Sequence, residues 1–131
     1  LQSREYRWEE APFKEPITID GVDYCHFFPS GVMGRPVGGV HQAHSLVAKR
    51  HRSSTQGHTH TFDHKQHPNG AGGFINGMVV GCYVDYDAEF AGPEVNNMWW
   101  RGLILKTEVS DGNYDFQKIS MDSLRKAYGR R

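Results

Sequence analysis

Ile17-Thr18-Ile19-Asp20-Gly21-Val22-Asp23-Tyr24-Cys25-His26-Phe27 is the stretch that decides the fold. Two β-favouring runs flank an Asp-Gly pair, a strong short-range signal for a two-residue hairpin turn. Pro29 and Gly31 end the second run. From Ser30 to Gly39 the chain is so rich in Gly and Pro (Gly31, Gly34, Pro36, Gly38, Gly39) that it reads as a loop. A strand that stops at His26 and feeds an irregular loop puts a histidine where rigid scaffolds present functional groups.

Outward from the hairpin, residues 41–51 predict a helix with Ala43, Leu46, Val47 and Ala48 as its apolar stripe. Lys49, Arg50, His51 and Arg52 crowd its end, where cations suit the helix dipole. A short strand over residues 54–56 then delivers Gly57 to His60. Residues 63–73 are polar and Gly-rich and predict a loop. Residues 74–84 predict a strand whose Gly77 and Gly81 imply close packing or a bulge. Residues 85–97 read as an acidic loop and residues 99–109 as the longest strand. Asp111-Gly112 turns it, residues 114–119 return, and Ser120 caps a last helix over residues 121–128. Residues 1–15 form an extension with Trp8 and Phe13 as anchors. The expectation is one domain or partial domain over residues 1–131, of α+β or α/β class, β-rich with two helices.

Composition sets the limits. A chain of 131 residues buries roughly two-thirds of its unfolded surface. Fifteen basic and fifteen acidic residues cancel, so no overall field advertises a nucleic-acid or membrane partner. Two cysteines, Cys25 and Cys82, make no disulfide framework, and nothing resembles a secretory signal, so the cytoplasm is the expected compartment. No apolar run approaches the ~18 residues that span a bilayer. The chain starts at Leu1 rather than Met, which suggests a processed product or a fragment.

The chemistry gathers at Gly57-His58-Thr59-His60. At a strand end the two imidazoles point to opposite faces, so the pair serves two neighbouring metal ions better than it chelates one. Gly57 lets backbone and metal approach closely. His26 is the natural third member.

Cys25 to Pro36, then Gly38-Gly39-Val40-His41, then Gly57-His58-Thr59-His60, resemble the C-terminal half of the calcineurin-like metallophosphoesterases, in their phage-type form. Trp99-Trp100-Arg101-Gly102, Asp111 to Asp115 and the short helix after them are similar too. The resemblance runs from about residue 20 to the end. It implies the β-rich half of a four-layer α/β/β/α sandwich holding two divalent ions (Mn, Fe or Zn). It also implies that His26 and His58 ligate the second ion and His60 the first. Such ions polarise phosphoryl oxygens and supply a hydroxide nucleophile for hydrolysis of a phosphomono- or diester, nucleotides and nucleic acids among the substrates.

The family's other ligands lie in upstream motifs: an Asp-x-His pair, a bridging Asp after Gly, and an Asn-His pair. No Asp here has those neighbours, and Asn96-Asn97 is followed by Met98. Without a bridging carboxylate two close cations repel. The resemblance therefore implies an inactive C-terminal part, holding one ion or none, that needs its upstream half in the same or a separate chain. The alternative is a non-catalytic half-domain serving as a structural or binding module in a phage assembly. A mononuclear zinc site using all three histidines ranks third. If the source is viral, the compartment is the host cytoplasm.

Other residues carry weaker expectations. Arg35 could hold a phosphate through its planar fork or be a salt-bridged structural residue. His41 could touch substrate, and His44 shares its helix face. Lys49 to Arg52 could meet a nucleic-acid backbone, though a solvated helix end is commoner. His64 and His67 read as loop surface, and one of Trp99 and Trp100 as core. Half a sandwich would also leave unpaired strand edges and exposed apolar faces, favouring stability through a partner.

Overall fold

The computed structural model describes residues 10–129; the Trp8 anchor lies outside them. Strands β1 (Ile17–Ile19) and β2 (Val22–Cys25) form the expected hairpin. Asp20 and Gly21 both take positive φ (48° and 80°), as a two-residue turn matching strand twist requires. Helix α1 (Gln42–Arg50) crosses to β3 (Ser54–Gln56), which lies parallel to β2. Then follow β4 (Phe62–Pro68) and β5 (Phe74–Val80). After a short 3-10 turn over Glu89–Ala91 come α2 (Gly92–Met98), β6 (Gly102–Ser110), β7 (Asn113–Ser120) and α3 (Met121–Tyr128). A five-stranded mixed sheet of order β1-β2-β3-β5-β4 and the two-stranded β6-β7 hairpin result.

Register sorts the large sheet into two faces. Tyr24 pairs with Ile17 and Thr55, and Thr55 with Met78, so these share one face. Gln56 pairs with Cys25 and Val79, which share the other. Helix α1 packs against β3, β4 and β5. Its Leu46 closes a core with Phe28, Val37 and Val79. Gly77 is required there, because a Cβ would fall onto the Ala43 carbonyl oxygen and crowd Val47. The β6-β7 hairpin packs on the opposite face, where Tyr114 joins Val22 and Met78. Its turn is tied to the β1-β2 turn: Gly112 N–H donates to Asp20 O (2.9 Å), while Ser53 Oγ and Asn76 Nδ2 donate to Gly112 O (2.7 and 3.0 Å).

Several sequence expectations need correction. The predicted loop over residues 63–73 contains β4, paired with β5 from Phe62↔Val80 to Pro68↔Phe74. Its polar composition is that of an exposed edge strand. The strand expected over 74–84 stops at Val80, because Gly81 turns at φ 70° and a Cβ there would overlap the Trp100 carbonyl. The predicted acidic loop holds α2. Pro93 stands in its first turn, and the buried Asn96 side chain bonds Ala88 N, Ala88 O and Gly92 O. The described residues thus hold three α-helices, not two. The long strand starts at Gly102 rather than Trp99. Helix α3 keeps its expected cap, Ser120 Oγ accepting from Ser123 N at 3.2 Å.

Candidate functional site: a histidine corner at two strand ends

Strands β2 and β3 run parallel, so their C-terminal ends deliver His26 and Gly57-His58 side by side. Gly57 N–H donates to His26 O at 3.1 Å. His26 Nε2 and His58 Nδ1 then lie 3.1 Å apart, with both residues exposed. A Cβ at Gly57 would meet no protein atom closer than 3.9 Å, so protein packing alone does not demand a glycine here.

The geometry depends on an unusual backbone. His58 and His60 adopt φ of 67° and 60°, a left-handed conformation that costs non-glycine residues roughly 1–2 kcal/mol each. Buried glutamines hold it in place. Gln42, in the first turn of α1, accepts from Thr59 Oγ1 (2.7 Å) and donates to Thr61 Oγ1 and Gly39 O (3.0 Å each). Gln56 accepts from Phe28 N (3.0 Å) and donates to Val37 O (3.1 Å), fixing the loop after His26. Asp63 Oδ2 accepts from Ala43 N (2.8 Å), satisfying a free N–H at the start of α1, where His41 offers no side-chain cap. Sequence reading missed all three. Their signal is a polar residue where strand or helix periodicity demands an inward side chain.

His60 stands apart. Its ring lies edge-on to Trp99 at 4.3 Å and bonds neither other histidine. Burial first, then the nearby His58 and His26, lower its pKa, keeping it neutral and able to act as a ligand. Among the described residues no group of three or more His, Cys, Asp or Glu is gathered closely enough to hold an ion. The pair stands at hydrogen-bonding distance, one ring N–H donating to the other ring's nitrogen; with both rings neutral and that proton turned away, the two nitrogens are donors of the type divalent metals accept.

The remaining expectations resolve individually. Arg35 is exposed, and no ion pair forms on it among the described residues. His41 and His44 are exposed too. The basic run turns inward: Arg50 (2.6 Å) and Arg52 (3.1 Å) both pair with buried Asp23, and Arg50 also lies 3.9 Å over the Phe28 ring. Burial raises the Asp23 pKa, but the Thr18 hydroxyl and the two arginines outweigh it, so the net shift is downward. His64 is not loop surface. It is half-buried against Phe116 at 4.6 Å, and burial lowers its pKa. Trp99 and Trp100 are both half-buried, Trp100 against Phe62 at 5.5 Å. Lys106, unsuspected from sequence, points inward from β6 to Thr55 Oγ1 (2.6 Å) and Tyr24 OH (3.3 Å), its pKa lowered by burial to about 8.

Fold and site together define a mixed α/β domain with a two-histidine corner at the ends of parallel strands. No family model, curated protein or solved structure matches the chain. Among the described residues no helix is long and apolar enough to cross a membrane.

Proposed function

We propose that this chain is the histidine-bearing part of a dinuclear, calcineurin-like metallophosphoesterase. In this reading His26 and His58 share one divalent ion and His60 contributes to a second. The observation that carries it is the 3.1 Å approach of His26 Nε2 to His58 Nδ1, two accessible nitrogens brought together from distant sequence and held there by backbone in a costly conformation. The order of layers, a helix, a mixed sheet and a second β layer, supports the sandwich reading. Bound metal would polarise a phosphoryl oxygen and activate water. The carboxylate ligands, and with them turnover of a phosphoester or nucleic acid, would come from the upstream half.

A second reading has its own observation. Phe13 packs on the His26 ring at 5.2 Å and Phe27 on His58 at 5.1 Å, so the pair could also be a hydrogen-bonded aromatic cluster in a non-catalytic phage module. Titration with Co²⁺ or Zn²⁺ separates the two. The metal reading expects one ion bound through the pair, at least tenfold weaker binding in His58→Ala, and no phosphodiesterase turnover by the chain alone. Equal binding by the parent and His58→Ala, or full two-metal turnover by the isolated chain, would refute it.

A further inference from the structure

The large sheet is covered unevenly on the face away from α1. The β6-β7 hairpin lies over β4 and β5, where His64 meets Phe116 and Met78 meets Tyr114. Over β1 the described residues leave the same face partly open: Ile17 and Ile19 are 41% and 52% exposed although register sets them beside Tyr24 and Val22. Between the two regions runs a groove of about 440 Å³, floored by Tyr24, Thr55 and Val80 and walled by Leu103, Ile104 and Lys106 of β6.

Two features of that wall say what belongs in the groove. First, among the described residues β6 pairs with β7 on one side only. Past Gly102, whose N–H donates to Cys82 O, no described backbone group meets its other edge. A free edge beside an apolar floor is a template for another strand. Second, Lys106 is turned in among Tyr24, Tyr114 and Thr55, and among the described residues no carboxylate pairs with it. A largely buried cation is stabilised by an opposite charge with good geometry.

We propose that the groove receives one extended segment of a partner polypeptide, added as a third strand to the free edge of β6. Its apolar side chains face Tyr24 and Val80, and an Asp or Glu carboxylate is set against the Lys106 ammonium. Backbone hydrogen bonds give this mode its affinity, and the alternating side chains give it register and selectivity. The inference does not rest on the metal reading, since no histidine of the corner takes part.

The test uses ¹⁵N-labelled chain and capped heptapeptides, Thr-Val-Thr-Glu-Thr-Val-Thr, its Gln counterpart, and a form N-methylated along one edge. The Glu peptide should shift the amides of Ile104 and Lys106 and bind about tenfold more tightly than the Gln peptide, the worth of a charge-assisted hydrogen bond. N-methylation should abolish binding, and Lys106→Met should erase the Glu–Gln difference. The proposal is overturned if Glu and Gln peptides bind alike, or if neither binds at millimolar concentration. Shifts mapping away from β6, or a homodimer occupying the β6 edge without peptide, would overturn it equally. The peptide comparison on the parent chain decides the matter even where Lys106→Met fails to fold.

Discussion

Gln42→Met should loosen the histidine corner while leaving the fold standing. Methionine keeps the length and volume of the side chain, so no cavity opens. Three hydrogen bonds disappear, to Thr59 Oγ1, Thr61 Oγ1 and Gly39 O. Gly39 is exposed, and water replaces its partner at little net cost. The two threonine hydroxyls are half-buried, and the 3.2 Å contact between them is already present in the parent, so it offsets neither loss. The net loss is about two hydrogen bonds at about 1 kcal/mol each, or about 2 kcal/mol. With a urea slope of about 1–3 kcal/mol/M, the midpoint should fall by about 1 M at unchanged slope. Amide exchange at Thr59 and Trp100, whose N–H groups donate to Gly57 O and His60 O, should accelerate. Exchange at Val37, on the Gln56 side, should hold. A midpoint change below about 0.2 M, or uniform acceleration at Val37 as well, would show that Gln42 does not hold the left-handed histidines in place.

Three further outcomes follow from the packing and the charges. Gly77→Ala should destabilise by about 1–3 kcal/mol in chemical denaturation, because the new methyl meets helix backbone at Ala43 rather than a side chain that can move. The Asp23 pKa is lowered on folding, so its stabilisation is full above the unfolded value of 3.8 and is lost as pH falls through the folded value. Asp23→Asn should therefore be less stable than the parent at pH 7, with the gap closing in acid unfolding curves below pH 3.8. Lys106 behaves oppositely: its folded pKa of about 8 lies below 10.5, so ionisation opposes folding fully below pH 8, and that opposition fades as pH rises to 10.5. The stability of Lys106→Met relative to the parent should accordingly decline between pH 8 and 10.5, and a flat difference would contradict the assignment.

The elements that sequence reading located are those with local causes. Asp20-Gly21 and Asp111-Gly112 are conformational requirements written into two residues, and the Ser120 cap is a contact within one helical turn. Elements that owe their state to partners were illegible. Phe-Asp-His-Lys-Gln-His-Pro has no strand propensity, and β4 exists because β5 offers a ladder, Phe116 covers His64, and Ala43 needs the Asp63 carboxylate. Helix α2 likewise depends on an Asn96 side chain that reaches back to Ala88. In the corner, the strand-end positions of His26 and His58 were readable, but the split between a touching pair and a separate His60 was not. That split comes from two left-handed residues and from Trp99, none of which has a signature of its own.

The joint between the two hairpin turns bears on how the chain folds. Each hairpin can close by itself within about 1–10 μs, since its ends are a few residues apart. The Gly112–Asp20 contact joins segments from opposite ends of the sequence, so it waits for the long intervening chain to collapse. A Cβ at Gly21 would lie 2.5 Å from Gly112 N, and one at Gly112 would lie 2.8 Å from Ser53 Oγ, so any larger side chain at either turn holds the layers apart. We predict that this contact forms after the transition state. Loosening it should leave the folding rate nearly unchanged and hasten unfolding. On that prediction the meeting of two glycine turns is a latch on the lifetime of the native state, and a weakened joint that slows folding as much as it destabilises the protein would refute it.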